Sequence, residues 1–315
     1  MQKYVIRRLL LMVPTLIGVT LLVFGMIRML PGDAVTMMLE DYAAYAKDVE
    51  DLRARLGLTK PFHEQYLTWV FNVLRGDLGT SLRNQTPVAD DLAKRIPVTF
   101  QLGFMGLLVS LSISIPLGVY SAVKQDTLSD YVARSVAIAM LAIPGFWLGT
   151  LAITLPSIWW QWTPPLRYTQ FIDDPGKNLS QMILPAVILG IGLSGTIMRL
   201  TRAQMLEILR QDFIRTARSK GLAERMVIFV HALRNAIIPV VTILGLQLTV
   251  MVSGTVVLES IFVVPGMGRY LLEGITYRDY PIVQAVMLIF AVLIIFSNLV
   301  VDIIYAWLDP RIRYS

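Results

Sequence analysis

The chain has 315 residues, of which 55% are hydrophobic and 16% are charged, and its mean hydropathy is +0.62. This composition excludes an ordinary soluble domain, because so much apolar surface needs lipid as its solvent. The absence of cysteine excludes disulfides, thiolate metal sites and a cysteine nucleophile. The net charge of +6 is typical of basic cytoplasmic loops in membrane proteins rather than of nucleic-acid binding.

Six apolar runs are long enough to cross a hydrocarbon layer of about 30 Å. They lie at 9–29, 99–123, 132–160, 182–200, 236–260 and 282–306. The first run is too long for a signal peptide and has no small-residue cleavage pattern after it, so we interpret it as a retained helix. Prolines interrupt several runs, and packing kinks explain them better than gates do. The sequence therefore predicts an all-α integral membrane protein with six transmembrane helices.

Basic residues next to the short terminal segments predict the orientation in the membrane. Lys3, Arg7 and Arg8 precede the first span, and Arg311 and Arg313 follow the last one. Because such residues accumulate on the cytoplasmic side, we expect both termini to be cytoplasmic.

Three regions follow from this orientation. Residues 1–30 form the first transmembrane helix, and residues 31–97 form a small helical subdomain outside the membrane, between spans 1 and 2. Residues 98–315 form a core with five transmembrane helices and a cytoplasmic loop at 201–235.

The cytoplasmic loop carries most of the excess positive charge. Between Arg199 and Asn235 there are eight Lys or Arg residues and three acidic residues, Glu207, Asp212 and Glu224, which leaves a local excess of five. Apolar residues recur there at helical spacing in two stripes. The first stripe is Met205, Leu209, Phe213 and Ala217, and the second is Leu222, Met226, Phe229, Val230 and Leu233. The sequence predicts two short helices joined at Gly221, with an apolar face for either the lipid surface or the groove of a protein partner.

The segment "IRTARSKG", followed by "HALRNAIIP", resembles the signature loop of ABC importer permeases. That loop reads E-A-A, three residues, glycine, nine residues and an apolar-Leu-Pro pattern. Arg215, Thr216 and Ala217 stand at the E-A-A positions here, and Gly221 stands at the glycine.

Further motifs are similar to the dipeptide, oligopeptide and nickel branch of this family. In chain order they are "LPGD" (Leu30–Asp33), "LGL" before "KP" (Leu56–Pro61), "GDLGTS" (Gly76–Ser81), "VVPGMGR" (Val263–Arg269), "RDYPIVQ" (Arg278–Gln284) and "DPRIRY" (Asp309–Tyr314). Single motifs of this kind are weak, but their number and order extend the resemblance over essentially the whole chain.

The resemblance implies a type I ABC importer permease fold and a loop that docks on a separate ATP-hydrolysing subunit. The residues implied to couple the two are Asp212, Arg215, Thr216, Ala217, Arg218, Lys220, Gly221 and Leu222, supported by His231, Asn235 and Pro239. Candidates for an outer pathway or gate are Glu259, Pro265, Gly266 and Gly268.

The chain has no "GxxxxGK[ST]" phosphate loop, so we expect no cofactor in it and expect ATP and Mg to bind to the partner ATPase subunits. His63 and His231 lie in separate segments and predict no metal site. The implied partners are a second homologous permease, two ABC ATPase subunits, an extracytoplasmic substrate-binding protein and membrane lipid, without nucleic acid. The implied location is a bacterial or archaeal cytoplasmic membrane.

The resemblance implies a non-catalytic permease subunit for uptake of dipeptides or oligopeptides. Nickel chelates, glutathione or another small solute remain alternatives. A stand-alone secondary transporter is disfavoured, because Arg28, Arg199, Glu259 and Asp302 lie near span ends rather than at the centre of the spans. An intramembrane enzyme is disfavoured, because the spans contain no "HExxH", no "GxSxG" and no paired aspartates.

Overall fold

The computed structural model describes residues 2–29, 53–54, 57–165 and 167–308. Apart from one antiparallel bridge between Thr80 and Pro87, the regular structure in these residues is helical, which confirms the all-α class. The chain divides into two compact units, residues 1–98 with 265–296, and residues 99–264 with 297–315. The "LPGD" and "DPRIRY" motifs and the whole 31–52 part of the predicted external subdomain lie outside the described residues.

The helices are α1 (Gln2–Met29), α2 (Phe62–Leu74), α3 (Val88–Val123), α4 (Leu128–Ala142), α5 (Gly145–Trp160), α6 (Pro175–Leu209), α7 (Asp212–Ser219), α8 (Leu233–Ile261), α9 (Met267–Thr276) and α10 (Tyr280–Leu308). A helical turn at Glu224–Met226 and a π-helix at Val227–Ala232 lie directly before α8. Capping side chains mark two of the helix starts. Thr127 accepts a hydrogen bond from Asp130 N at the start of α4, and Asp174 accepts one from Lys177 N at the start of α6.

The first unit holds the end of α1 against α2 through aromatic side chains. Phe24 meets Tyr66 edge to face and stacks on Trp69, with ring centroids 5.4 and 6.0 Å apart. Two of the sequence motifs also meet in this unit, because Ser81 Oγ donates to Asp279 Oδ2 at 2.6 Å and Arg83 N donates to the same oxygen at 3.2 Å. The carboxylate of "RDYPIVQ" therefore fixes the loop that follows "GDLGTS".

The second unit is built around α6, which buries side chains along most of its length and contacts α4, α5 and α8. The contact with α4 requires a glycine. A Cβ atom at Gly195 would lie 2.5 Å from Leu141 Cγ and 2.6 Å from the carbonyl oxygen of Ala137. Close approach of two helix backbones through a small residue is common in membrane bundles, where it maximises van der Waals contact.

The third predicted span is not one kinked helix. The structure divides 132–160 into α4 and α5, which meet at an angle of 91°. Ile143 and Pro144 between them have extended backbone conformations. The physical reason is that the proline ring disfavours the helical conformation of the residue before it. The general interpretation of the prolines as packing kinks is therefore wrong at Pro144, where the helix breaks.

Four described stretches are long and apolar enough to cross a membrane: Val88–Val123, Pro175–Leu209, Glu224–Gly245 and Tyr280–Val300. The bent pair of α4 and α5 makes a fifth when counted as one span. In α1 the described apolar stretch, Leu10–Met26, is shorter. The count of six spans stays a prediction.

Candidate functional site

The segment 212–232 lies within the loop 201–235 that the sequence singled out. Its two helical parts are α7 and the turn with the π-helix, and Gly221 lies between them as predicted. A second break was not predicted. α6 ends at Leu209, and Arg210 and Gln211 separate it from α7, so the stripe from Met205 to Ala217 does not belong to one helix.

Gly221 ends α7 with a left-handed backbone, at φ +77°. Gly221 N donates to Arg218 O at 2.9 Å, and Leu222 N donates to Ala217 O at 3.4 Å. These two hydrogen bonds define a Schellman motif, which satisfies the last carbonyls of a helix and turns the chain sharply. A residue with a Cβ atom is strained in this conformation, so the turn depends on glycine.

The buried face of the segment anchors it to the second unit. Ile214 and Ala217 of α7 form one apolar cluster with Met205 of α6 and with Val119 and Ala122 of α3. Leu222, the residue after the turn, packs against the same cluster. Ala217 therefore lies in the interior of this chain, and the segment is held as a packed element rather than as a free loop.

The second predicted stripe divides in two, because Leu222 and Leu233 pack against the apolar cluster of this chain while its middle residues are exposed. Met226, Phe229 and Val230 are 46%, 53% and 52% exposed, whereas Val227 and Ala232 are buried. The prediction assumed 3.6 residues per turn, but Val227–Ala232 is a π-helix, in which hydrogen bonds connect residues five apart. Val227 and Ala232 are five apart, so the π turn brings them to the same face.

Charged side chains lie on the outer face of α7 and at the glycine turn after it. Asp212, Arg215, Arg218 and Lys220 are exposed. Arg218 holds Glu224 across the glycine turn with two hydrogen bonds, Nε to Oε2 at 3.1 Å and Nη2 to Oε1 at 2.6 Å. These bonds raise the pKa of the Arg218 guanidinium above its usual range. Within α7, Arg215 Nη1 donates to Asp212 Oδ1 at 3.3 Å, while Thr216 Oγ1 donates to the Asp212 carbonyl at 3.0 Å.

The three predicted support residues lie where the π-helix continues into α8. Asn235 Nδ2 donates to the carbonyl oxygen of His231 at 2.6 Å. Pro239 lies inside α8 and has no N–H to donate to the carbonyl of Asn235 four residues earlier. The hydrogen bond from Asn235 involves the backbone of His231, a residue that is itself partly buried.

The four candidates for an outer gate do not come together within one unit. Glu259 is buried in the second unit, where its Oε1 accepts a hydrogen bond from Thr99 Oγ1 at 2.7 Å. Pro265, Gly266 and Gly268 belong to the first unit, at the start of α9. Their role as a gate stays a prediction.

A buried ion-pair cluster was missed by sequence reasoning. Asp130, at the start of α4, is 0% exposed. Its carboxylate accepts hydrogen bonds from Arg202 Nε and Nη2 at 3.0 and 2.8 Å, from Asp126 N at 3.0 Å and from Ser121 Oγ. Arg134 Nε lies 3.4 Å from Asp130 Oδ1. The carboxylate therefore connects α3, α4 and α6.

This cluster adjoins the anchor of the 212–232 segment. Arg202 precedes Met205 by one helical turn on α6, and Ser121 lies next to Ala122 on α3. Met205 and Ala122 both contact the segment through its apolar cluster. The available sequence signal was the pair Thr127 and Asp130, a capping-box spacing that marks a helix start.

Within the described residues, no group of three or more histidine and acidic side chains is placed to hold a metal ion. A short charged helix is fixed on an apolar anchor and joined by a rigid turn to a long helix.

Comparison with known proteins shows to which family the chain belongs. Residues 114–314 match the family model "Binding-protein-dependent transport system inner membrane component", and residues 1–103 match the model for the N-terminal part of such membrane components. The chain belongs to this family. The resemblance found in the sequence is thereby confirmed, and the chain is an inner membrane component of a binding-protein-dependent transport system.

Curated relatives of this inner membrane component match it from end to end. It is 40% identical over 338 residues to the dipeptide transport system permease protein DppB of Escherichia coli strain K12. It is 40% identical over 335 residues to the di/tripeptide transport system permease protein DppB of Pseudomonas aeruginosa, and 41% identical over 320 residues to the oligopeptide transport system permease protein AppB of Bacillus subtilis. Each alignment covers 100% of both chains.

A solved structure supports the fold of this family member. The crystal structure of an amino acid ABC transporter with histidines aligns with a TM-score of 0.51 and 16% sequence identity. The alignment covers 70% of this chain and 93% of the other. At this identity the likeness concerns the fold alone, and it supports the ABC permease architecture that the sequence implied.

Proposed function

We propose that the chain forms, with a second permease, the pathway of an ATP-driven importer of dipeptides or oligopeptides. The observation that carries this proposal is the full-length identity of about 40% to three permease proteins that are all named for peptide transport. Nickel chelates, glutathione and other small solutes are the competing cargoes.

In this proposal ATP is hydrolysed by separate subunits, which bind ATP and Mg, and the chain itself is not an enzyme. The 212–232 segment is the surface on which an ATPase subunit docks. Two features support this role. Its outer face carries exposed charges, and its inner face is packed against α3 and α6. A packed element moves as a rigid body when a partner pulls on it, whereas a loose loop would absorb the movement.

The complete transporter would contain this chain, a second homologous permease, two ATPase subunits and an extracytoplasmic binding protein that delivers the substrate. Both termini and the 212–232 segment face the cytoplasm. Closure of the ATPase subunits on ATP draws the two docked segments together and opens the pathway outward. Release of the substrate inward follows hydrolysis.

Reconstitution tests the cargo and the energy source together. The complete complex in liposomes should accumulate labelled dialanine when ATP and the binding protein are supplied, and an unlabelled tripeptide should compete. Competition by a nickel chelate or by glutathione, without competition by peptides, would reassign the cargo. Uphill uptake by this chain alone would instead identify a secondary transporter.

Cross-linking tests the docking surface. The chain contains no cysteine, so each introduced thiol is unique. We expect Ser219→Cys, at the exposed end of α7, to cross-link to an ATPase subunit through a short bifunctional reagent. Ser253→Cys, on an exposed face of α8, is the control and should not react with that subunit. Equal cross-linking from the two positions would contradict the assignment.

A further inference from the structure

A cavity of about 250 Å³ lies within the first unit, at the end of α1, beside α2 and the start of α10. Its lining includes Arg28, Lys60, Asp77, Trp69 and Gln284. Two basic side chains and one acidic side chain give it a net positive charge. Sites for drug-sized ligands have volumes of about 300–1,000 Å³, so this cavity suits a smaller chemical group.

The guanidinium of Arg28 is held in a fixed position by neutral partners. Its Nε and Nη2 atoms donate to Gln65 Oε1 at 3.0 and 2.8 Å, and its Cζ atom lies 3.7 Å from the centroid of the Phe24 ring. Gln65 is fixed in turn, because its Nε2 atom donates to the carbonyl of Lys60 at 2.7 Å. The positive charge of Arg28 is therefore oriented by these contacts but not neutralised by them.

Two buried nitrogen atoms on the lining residues lack a hydrogen-bond partner in the described part of the chain. They are Nη1 of Arg28 and Nε2 of Gln284. Gln284 is 4% exposed and lies one helical turn after Tyr280, whose ring centroid is 5.4 Å from Arg28 Cζ. Buried donors are rarely left unpaired, so two of them at one cavity indicate that an acceptor occupies it in the functional protein.

The acidic residue in the described cavity lining does not meet this need. Asp77 lines the cavity, but its Oδ1 atom accepts a hydrogen bond from Gly79 N at 2.8 Å within its own loop. A guanidinium edge together with an amide N–H is a donor set that matches a carboxylate, which accepts several hydrogen bonds and carries the opposite charge.

We propose that this cavity is a recognition site for the terminal carboxylate of a small peptide, with Arg28 and Gln284 as its hydrogen-bond donors. The carboxylate chemistry follows from the donors, and the choice of a peptide rests on the proposed function. The volume favours one end residue of a peptide over a whole chain segment. The site would bind peptide at the extracytoplasmic end of α1, in the predicted orientation.

Binding to the full-length chain in lipid nanodiscs tests the site, with glycylglycine and glycylglycinamide as probes in saturation-transfer NMR. The two probes differ in the carboxylate that the site should recognise. We expect the amide to bind at least tenfold more weakly than the free acid. Equal binding of the two probes, or no binding of glycylglycine, would overturn the proposal. In the second case, Arg28-dependent binding of the purified binding protein would assign the cavity to a protein contact instead.

Single substitutions distinguish a loss of peptide recognition from a loss of folding. Arg28→Gln should weaken glycylglycine at least tenfold, whereas Arg75→Gln, which removes a cation stacked on Phe71 outside the cavity lining, should leave binding unchanged. Gln284→Glu places a carboxylate in the cavity that Arg28 also lines. It should abolish peptide binding and raise the temperature of thermal unfolding, because the chain then fills its own site. Retained binding, or a lower unfolding temperature, in this variant would refute the assignment.

These measurements need no ATP and no ATPase subunit, so they are independent of transport. Peptide binding without ATP-driven peptide uptake would overturn the proposed function and leave the site standing. Peptide uptake by the complex with no change in Arg28→Gln or Gln284→Glu would overturn the site alone.

Discussion

The glycine turn between α7 and the π-helix offers the sharpest test of the 212–232 segment. The perturbation is Gly221→Ala. At φ +77° an alanine is strained, while a Cβ atom at this position would meet no other atom within 4 Å. The free-energy cost of this substitution therefore comes from the backbone conformation alone, and it is about 1–2 kcal/mol for an L-residue in the left-handed region. That energy lowers the population of the native turn by a factor of roughly 5 to 30.

The matched control is Gly192→Ala on α6. A Cβ atom there also meets nothing within 4 Å, but the backbone is helical. Alanine is favoured over glycine inside a helix by up to about 1 kcal/mol, so this variant should be neutral or more stable. Both substitutions add a methyl group at a position with no other atom within 4 Å. They differ in backbone conformation, which is left-handed at Gly221 and helical at Gly192.

The assay is ATP hydrolysis by the complete complex, measured with and without binding protein and substrate, together with co-purification of the ATPase subunits. We expect Gly221→Ala to reach the membrane normally, because the six predicted spans are unchanged. It should lose most of the substrate stimulation and retain less ATPase subunit, whereas Gly192→Ala behaves as wild type. Normal stimulation in Gly221→Ala would refute the link between this turn and ATP-driven transport.

Three further predictions concern the second unit and the orientation. Asp130→Asn should lower the free energy of unfolding by about 3–5 kcal/mol, because it breaks a buried ion pair. Thermal melts of the purified chain measure this loss. Asp212→Asn, which breaks an exposed ion pair, is the control and should show no comparable loss. Gly195→Ala should lower that free energy by about 1–3 kcal/mol, because its Cβ atom would overlap α4, and stability equal to that of Gly192→Ala would contradict the close contact. A membrane-impermeant thiol reagent should label Thr59→Cys in intact cells and Ser219→Cys only after permeabilisation, and the reverse pattern would invert the predicted topology.

The parts of the fold that depend on local sequence chemistry were predictable. Apolar runs indicated the helices of the membrane core, since lipid imposes both length and composition on them. Gly221 indicated the turn after α7, because a single residue type satisfies the left-handed conformation. In both cases the signal and the structure it causes lie within a few residues of each other.

The parts that depend on tertiary context were not predictable from one sequence. A π-helix at Val227–Ala232 shifts the buried face, and the letters "VIFVHA" carry no signal that distinguishes it from an α-helix. The pairing of Asp130 with Arg202 joins residues 72 positions apart, so no local spacing indicates it. The sharp bend before Pro144 shows the same limit, because a proline in an apolar run is compatible with either a kink or a full break.

The 91° bend between α4 and α5 also limits which surroundings can contact the backbone in this region. Pro144 has no N–H for the carbonyl of Met140, and the first N–H groups of a new helix have no partner within that helix. Two such groups, Trp147 N and Leu148 N, donate to the carbonyl of Pro144 at 3.0 and 3.2 Å. The outermost peptide groups of the two helix ends still need hydrogen-bond partners from outside these helices. Hydrocarbon offers none, and an unpaired peptide group in it costs several kcal/mol. At hydrocarbon depth, a bend of this kind therefore requires water or another protein surface against its backbone rather than acyl chains.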